Sequence, residues 1–219
     1  NSGRHRGFNG GGLVQSKSHI VVAGGGLVGL LLACVCKQSQ SSCATVTVIE
    51  REFPLSSEAI LDTRATALSA DSRQRLHSWG LWAGLESSTA AITDIHVSRY
   101  RRFGSALLSA KEQQLDALGY VVENSAMMSS WLDLARSLEI DIRTGVTIDA
   151  MTDTGEYPSL SLSDGSNISA SLLVVADGVR SRLRQSLNMK TLAREASQYA
   201  IACNVAVSEA VEGRAFERF

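Results

Sequence analysis

Residues 19–38, HIVVAGGGLVGLLLACVCKQ, decide the fold of this chain. The short apolar run predicts a strand, the glycine cluster predicts a turn, and the second apolar run predicts a helix that lasts to about Ser39. The segment TVTVIE then predicts a second strand that ends at Glu50. Strand, glycine turn, helix and strand in succession indicate a βαβ unit, because parallel strands need a crossover of this kind.

The glycines of this turn have the spacing of a dinucleotide-binding fingerprint. Gly24, Gly26 and Gly29 form G-x-G-x-x-G between a strand and a helix. The first glycine permits a tight turn, the second lets the backbone approach a pyrophosphate, and the third lets helix and strand pack closely. The helix N-terminus offers unpaired N–H groups. Leu27 and Val28, between the second and third glycines, are therefore included in the predicted binding turn.

An acidic residue closes the second strand of the predicted unit. Glu50 is placed where a carboxylate accepts hydrogen bonds from ribose hydroxyls. An acid there disfavours a 2′-phosphate, so the predicted dinucleotide is FAD or NAD rather than NADP. The alternative is that the glycines serve packing alone, but the agreement of strand, spacing, helix and Glu50 favours binding.

A second motif follows the apolar run LLVVAD, where Asp177-Gly178 opens the basic segment DGVRSRLR. An Asp at the carboxyl end of a strand in an α/β sheet is a plausible ligand contact. It is equally compatible with a residue that caps the next helix while the arginines stay solvated. The residues alone leave both interpretations open.

The rest of the chain alternates between helical and extended patterns. Residues 51–67 are loop-like, and Asp164-Gly165 between two alternating runs predicts a hairpin. Helices are predicted at 68–78 and 125–138, with a short one after Asp177; strands are predicted within 92–100, 104–110, 140–177, 199–207 and 214–219.

Composition excludes several functional classes. The 219 residues carry 21 Lys and Arg against 22 Asp and Glu, so no basic nucleic-acid-binding surface dominates the chain. With 44% hydrophobic residues and 2 prolines, the chain is not globally disordered. Its four cysteines are too few for a disulfide scaffold and lack a second ligand pair, so we expect no metal site and a reducing, cytoplasmic environment.

The two motifs together resemble those of a known family. D-G-x-x-S-x-x-R after V-V-A, downstream of G-x-G-x-x-G and E-R, resembles the flavoprotein aromatic hydroxylases of the para-hydroxybenzoate hydroxylase type. Four further stretches are similar to the ubiquinone-biosynthesis hydroxylases, the 2-polyprenyl-6-methoxyphenol hydroxylase group: DTRATALS at 62–69, WGLW at 79–82, LGYVVEN at 118–124 and GRAFERF at 213–219.

The resemblance implies roles for individual residues. Arg51 and Asn124 match less specific positions and are as compatible with surface or capping roles. The resemblance implies that the ADP half of FAD is bound by Gly24, Gly26, Gly29 and Glu50. It implies that Arg64 reaches the phosphate region of the flavin cofactor. It also implies that Asp177 and Gly178 contact both FAD and NAD(P)H.

The resemblance also implies a reaction. We expect an FAD-dependent monooxygenase that hydroxylates a polyprenylated phenol in ubiquinone biosynthesis, with NAD(P)H as reductant and dioxygen as co-substrate. Because that substrate is a membrane lipid, we expect peripheral association with the inner face of a membrane and a biosynthetic complex as partner. The alternatives are a flavin-dependent prenyl-lipid reductase or dehydrogenase, and a non-catalytic relative that assists such a complex.

The expected fold is α/β, with a Rossmann-like FAD-binding βαβ domain, a β-meander and part of a second, β-rich substrate domain. Relatives carry a third motif, Gly-Asp followed by His-Pro, that is missing from these 219 residues. We therefore expect a truncated polypeptide that is inactive by itself. The predicted organisation is a flexible leader at 1–18, an FAD-binding domain at 19–90 and 119–190, and substrate-domain strands at 91–118 and 191–219.

Overall fold

The computed structural model describes residues 18–39, 44–52, 64–153, 157–192, 194, 197–209 and 211–219. The helices of this part are α1 (Leu27–Ser39), α2 (Ala70–Ser78), α3 (Asn124–Ser137), α4 (Arg182–Ser186) and a 3-10 helix at Ala83–Ser88. Its strands are β1 (Ser18–Ala23), β2 (Ala44–Glu50), β3 (Ala65–Ser69), β4 (Thr89–Ile92), β5 (Asp94–Ser98), β6 (Ser105–Ser109), β7 (Gly119–Glu123), β8 (Asp141–Thr144), β9 (Ile148–Asp153), β10 (Pro158–Leu162), β11 (Asn167–Ser169), β12 (Leu172–Val175) and β13 (Arg214–Arg218).

A parallel sheet with strand order β12-β1-β2-β8 lies at the centre of the fold. In its register Val22 pairs with Val48 on one side and with Val174 on the other. The predicted βαβ unit, β1-α1-β2, is therefore confirmed. Because all four strands run the same way, their carboxyl ends meet at one edge, where the glycine turn, Glu50 and Ala176 lie together.

The two faces of this sheet are covered by different layers. On one face, buried residues of α1 and α3, such as Leu30 and Trp131, pack against Val22. On the other face, Val21 packs with Leu160 and its neighbours from the antiparallel meander β9-β10-β11. Successive residues of β1 thus face opposite layers, as strand geometry requires. The predicted β-meander is confirmed, and the α/β fold class with it.

Two smaller sheets complete the described part. The antiparallel sheet β3-β7-β4 includes the LGYVVEN segment, and Thr66 pairs there with Val122. In the other small sheet, β13-β5-β6, the hairpin β5-β6 is antiparallel and β13 runs parallel to β5. Phe216 of β13, His96 and Leu107 form one cross-strand row in this register.

Three expectations are corrected. Residues 65–67, expected as loop, and residues 68–69, expected as the start of a helix, together form β3. The helix begins at Ala70 because the Ser69 hydroxyl accepts a 3.1 Å hydrogen bond from the Ser72 N–H. The strand expected at 92–100 is divided at Thr93, whose N–H donates to Gly213. The strand expected at 199–207 is wrong, since this described segment pairs with no described strand, and alternation alone does not hold an extended segment in place.

Candidate functional site

A cavity of about 620 Å³ opens at the carboxyl edge of the parallel sheet. Four chain segments converge on it: the glycine turn after β1, the end of β2, residues 146–149, and the D-G motif together with α4. The residues that line it are Ala23, Gly24, Gly26, Ile49, Glu50, Arg51, Val146, Thr147, Ile148, Asp149, Ala176, Asp177, Gly178, Arg180, Arg182, Leu183 and Ser186.

Two glycines of the fingerprint are required by packing. Gly24 has a φ of +107°, and a Cβ built on it would collide with the backbone carbonyl of Ala176, the residue that follows β12. A Cβ on Gly29 would collide with the carbonyl oxygen of Gly24. These two glycines therefore allow β1, β12 and α1 to approach one another closely.

Gly26 differs, since a Cβ built on it would have no described atom within 4 Å. Close packing thus gives no reason for a glycine here, and the residue lines the cavity. A glycine that faces open space at a strand-to-helix turn is what close approach of a ligand to the backbone requires. This position separates the binding interpretation of the fingerprint from the packing interpretation.

The first turn of α1 presents backbone donors beside Gly26. The N–H of Leu30 donates to the Gly26 carbonyl over 2.9 Å, which makes Leu27 the first helical residue. The N–H groups of Leu27, Val28 and Gly29 therefore precede the first intrahelical hydrogen bond. The Val28 side chain is largely exposed. This helix start offers N–H groups and the positive end of the helix dipole to an anion.

Glu50 is tied to the glycine turn by its carboxylate. Its Oε2 accepts a 2.6 Å hydrogen bond from the N–H of Gly25, and its Oε1 accepts one of 2.8 Å from Glu52. Each carboxylate oxygen has more than one acceptor site, so acceptor capacity remains toward the cavity. Glu50 therefore shapes the turn in addition to offering a carboxylate at the expected ribose position.

Asp177 carries an unpartnered acceptor at the same edge. Its Oδ1 is buried and has no hydrogen-bond partner among the described residues. Helix α4 is capped by Ser181, whose hydroxyl accepts a 3.0 Å hydrogen bond from Arg184, so Asp177 is not the cap. The capping alternative for Asp177 is thus wrong. Gly178, with a φ of +82°, turns the chain away from the strand and leaves the carboxylate at the cavity.

Of the three other predicted site residues, one lines the cavity and two do not. Arg51 lines the cavity, and its guanidinium forms a 2.9 Å ion pair with Glu52. Arg64 and Asn124 are not among the lining residues. Asn124 begins α3, where its N–H donates to the Arg64 carbonyl over 2.9 Å and its Oδ1 accepts a 2.6 Å hydrogen bond from Thr66. This pair joins β3 to the start of α3.

Several lining residues were not predicted as site residues. Residues 146–149 reach the cavity because β8 lies beside β2, and the Val146 N–H donates to the Glu50 carbonyl over 3.2 Å. Arg180 and Arg182 follow the D-G motif and bring positive charge to the edge. The basic turn was visible in the sequence, but the role of 146–149 depends on strand order, which local patterns do not give.

The aromatic and thiol groups near the helices belong mainly to the core. Trp82 and Trp131 are buried, and the Trp131 indole N–H donates a 3.0 Å hydrogen bond to Leu81. Trp79, in contrast, follows the last residue of α2 and is 40% exposed. Burial raises the pKa of the Cys34 thiol to about 11, so this cysteine is a weak nucleophile.

The donor set at this edge fits the ADP portion of a dinucleotide. Gly26 leaves open space for it, the start of α1 supplies N–H donors, and the buried Oδ1 of Asp177 lacks a partner among the described groups. Arginines and a carboxylate border the same cavity. Together with the parallel sheet, these features define a dinucleotide-binding α/β protein.

The chain belongs to the FAD binding domain family, whose pattern matches residues 17–217. FAD, the predicted cofactor, is thereby confirmed. Ubiquinone hydroxylase UbiL of Rhodospirillum rubrum is 31% identical over 216 residues, which are 95% of this chain and 48% of that protein. The 3-demethoxyubiquinol 3-hydroxylase of Escherichia coli is 29% identical over 87% of this chain and 48% of its own length. The predicted resemblance to ubiquinone-biosynthesis hydroxylases is confirmed, and the chain spans about half the length of these relatives.

Solved structures share the fold. The p-nitrophenol 4-monooxygenase PnpA from Pseudomonas putida superposes with a TM-score of 0.65 at 22% identity, over 78% of this chain and 43% of that one. CtdE in complex with FAD superposes with a TM-score of 0.57 at 19% identity, over 78% and 40% of the two chains. At these identities the likeness establishes the architecture.

Proposed function

We propose that this chain is the FAD-binding part of a monooxygenase that hydroxylates a polyprenylated phenol in ubiquinone biosynthesis, using NAD(P)H and dioxygen. The observation that carries the proposal is that one cavity is lined both by Gly26, which faces open space, and by Asp177, whose buried Oδ1 has no hydrogen-bond partner among the described residues. It occurs in a chain whose relatives are named as a ubiquinone hydroxylase, a 3-demethoxyubiquinol 3-hydroxylase and a ubiquinone biosynthesis monooxygenase.

The glycine turn would hold the pyrophosphate of FAD. Gly26 leaves room for it, and the N–H groups of Leu27, Val28 and Gly29 are free of intrahelical partners. Hydrogen bonds from amides at a helix N-terminus favour a phosphate over water because donors and dipole are already oriented. Gly24 contributes indirectly, since it permits the turn.

The carboxylate of Glu50 would accept a hydrogen bond from a ribose hydroxyl. Its two bonds to backbone N–H groups hold it at the cavity without exhausting its acceptor sites. Arg51 lies next to it and would offer a positive charge to the nucleotide. We assign Arg64 and Asn124 to FAD on the resemblance, with the Asn124 hydrogen bonds supporting a positioning role at the β3 end.

The D-G motif would close the other side of the site. The Oδ1 of Asp177 would gain the hydrogen-bond donor that it lacks among the described residues, and Gly178 lets the chain turn beside the cofactor. Arg180 and Arg182 would partly neutralise phosphate charge. The resemblance also assigns contact with NAD(P)H to this motif.

Bound FAD would supply the redox and oxygen chemistry, which no side chain can perform. The residues that line the cavity would bind and orient the nucleotide, and the layers on both faces of the parallel sheet shield its apolar side chains from water.

We further infer that the predicted boundaries separate an FAD-binding domain from substrate-domain strands. This division is supported by β13, which joins residues 214–218 to the β5-β6 hairpin rather than to the parallel sheet.

We also infer peripheral association with a membrane and membership of a biosynthetic complex, since the substrate of such an enzyme is a lipid. Among the described helices, none is long and apolar enough to cross a bilayer. Peripheral binding would bring the enzyme to the substrate without a spanning segment.

The test is a comparison of three readouts on the intact protein. The proposal predicts a flavin absorption spectrum, NAD(P)H oxidation that rises when the phenol is added, and a hydroxylated product. A flavin spectrum with phenol reduction or dehydrogenation instead would favour the prenyl-lipid reductase alternative. A protein without flavin that still supports the pathway would favour the non-catalytic alternative.

A further inference from the structure

The loop between β5 and β6 concentrates positive charge and aromatic surface. Residues 99–104, RYRRFG, contain three arginines, a tyrosine and a phenylalanine, and no acidic residue. The last strand pair of the hairpin is Ser98 with Ser105. The six residues of this hairpin tip therefore extend beyond the paired part of the sheet.

The hairpin tip is shaped by its own backbone. The Arg102 N–H donates to the Arg99 carbonyl over 3.2 Å, and both Arg101 and Gly104 have positive φ, +54° and +99°. The Arg101 guanidinium lies 5.0 Å from the ring centroid of Tyr100. These contacts are all local, so they turn the chain without covering its side chains.

The aromatic rings of the hairpin tip are exposed. Phe103 is fully accessible, and Tyr100 is 62% exposed. The surface continues onto the neighbouring strand, because the Tyr100 N–H donates to the Phe219 carbonyl over 2.6 Å and Arg218 pairs with Ser98. Isolated exposed rings are common, but Tyr100 and Phe103 lie beside four arginines and form a distinct surface with them.

We propose that the hairpin tip docks this protein on an anionic lipid bilayer. Arginines near an anionic membrane surface are attracted to lipid headgroups, and aromatic rings favour the interfacial region between headgroups and acyl chains. The positive charge is concentrated at the hairpin tip, because residues 99–104 carry three arginines whereas the whole chain has a net charge of −1. Such a chain would be drawn to the bilayer by this end and not by its surface as a whole.

The local charge also distinguishes the bilayer from a nucleic acid. Nucleic-acid binding relies on a basic face that follows many phosphates, whereas here the arginines are confined to one turn and the end of β13. The inference extends the proposed function, because a membrane surface is where a polyprenylated phenol would be found. Binding to vesicles is nevertheless measured without catalysis, so either proposal can fail while the other holds.

The test uses the intact flavin-loaded protein and sedimentation with two kinds of vesicle, phosphatidylcholine alone and phosphatidylcholine mixed with phosphatidylglycerol. We expect binding to the mixed vesicles that weakens with added salt. R99Q/R101Q/R102Q should lose on the order of 100-fold in affinity, since each arginine near the surface contributes about fivefold. F103S should weaken binding to mixed vesicles without changing its salt dependence.

A matched control removes the same charge elsewhere. R75Q/R136Q/R143Q changes three arginines on α2, α3 and β8, each of which forms an exposed ion pair with an aspartate. This variant should bind vesicles nearly as the unmodified protein does. Flavin content and melting temperature, measured for every variant, show that each is folded.

Three vesicle results would each overturn the proposal. They are failure of the unmodified protein to bind anionic vesicles, equal binding by R99Q/R101Q/R102Q, and equal losses for this variant and R75Q/R136Q/R143Q. Binding to a single-stranded RNA in preference to the vesicles would overturn it as well.

Discussion

The Glu50 carboxylate accepts a 2.6 Å hydrogen bond from the backbone N–H of Gly25, in the middle of the glycine turn. The end of β2 therefore fixes the conformation of the turn that follows β1. Glu50 thus connects β2 to the turn after β1 at the cavity on the carboxyl edge of the sheet, and it is the residue expected to contact the ribose.

Replacing Glu50 should weaken FAD binding. In E50A the turn loses its anchor and the ribose its acceptor, so we expect a loss of about 1.5–3 kcal/mol, the scale of a hydrogen bond to a charged group. E50Q is the matched control, because its amide keeps one acceptor oxygen but cannot accept bonds at both positions. Titration of the apoprotein with FAD measures both, and unchanged affinity in E50A would refute the ribose assignment.

The fingerprint glycines should separate into two classes. G29A places a methyl group against the Gly24 carbonyl, so the free energy of unfolding should fall by about 1–3 kcal/mol with or without cofactor. G26A meets no described atom and should cost the apoprotein less than about 1 kcal/mol, while FAD affinity falls at least about tenfold. Denaturant unfolding and FAD titration of both variants give the comparison. A G26A protein that binds FAD normally would favour the packing interpretation.

Replacing Asp177 should not lower the stability of the FAD-free protein but should reduce the stabilisation that FAD provides. Its Oδ1 is buried without a described partner, a situation that costs about 1–3 kcal/mol, so D177A should leave the apoprotein at least as stable as before. The rise in melting temperature that FAD causes should be smaller in D177A. Thermal unfolding with and without FAD measures this, and a destabilised D177A apoprotein with an undiminished FAD effect would assign Asp177 a structural role.

Cys34 should resist alkylation in the native protein. Burial raises the pKa of its thiol from 9.0 to about 11, so at pH 8 its thiolate fraction is about a hundredfold lower than that of an ordinary cysteine. Its Sγ also lies 3.6 Å from the Trp131 carbonyl within the helical layer. Mass spectrometry after iodoacetamide treatment should find the exposed Cys203 modified before Cys34. Rapid labelling of Cys34 without unfolding would contradict its burial.

The sequence could predict the parts of the fold that depend on local signals. The turn at Gly24 and the apolar runs on either side of it specify strand, turn and helix within a few residues, and Asp164-Gly165 marks its hairpin with a φ of +84° at Gly165. In contrast, β3 exists because Thr66 pairs with Val122, far along the chain. Residues 199–207 have a strand-like pattern, but no described strand lies beside them to pair with.

The same distinction applies to the site. The position of Glu50 and Asp177 at the cavity could be predicted because ligands bind at the carboxyl ends of parallel strands. Glu50 is the last residue of β2, and Asp177 follows the end of β12. Residues 146–149 reach the cavity only because β8 pairs with β2, and local sequence patterns do not predict this strand order. The unpartnered state of the Asp177 Oδ1 likewise depends on packing around the D-G motif, which only the assembled structure shows.

The most direct test of the proposed hydroxylation follows the oxygen atom. The intact protein is incubated with FAD, NAD(P)H, a polyprenylated phenol and ¹⁸O-labelled dioxygen, and the product is analysed by mass spectrometry, with D177A as the binding-deficient control. We expect one labelled oxygen in the product of the unmodified protein and a much lower yield with D177A. Turnover of the phenol without incorporation of labelled oxygen would contradict the monooxygenase assignment.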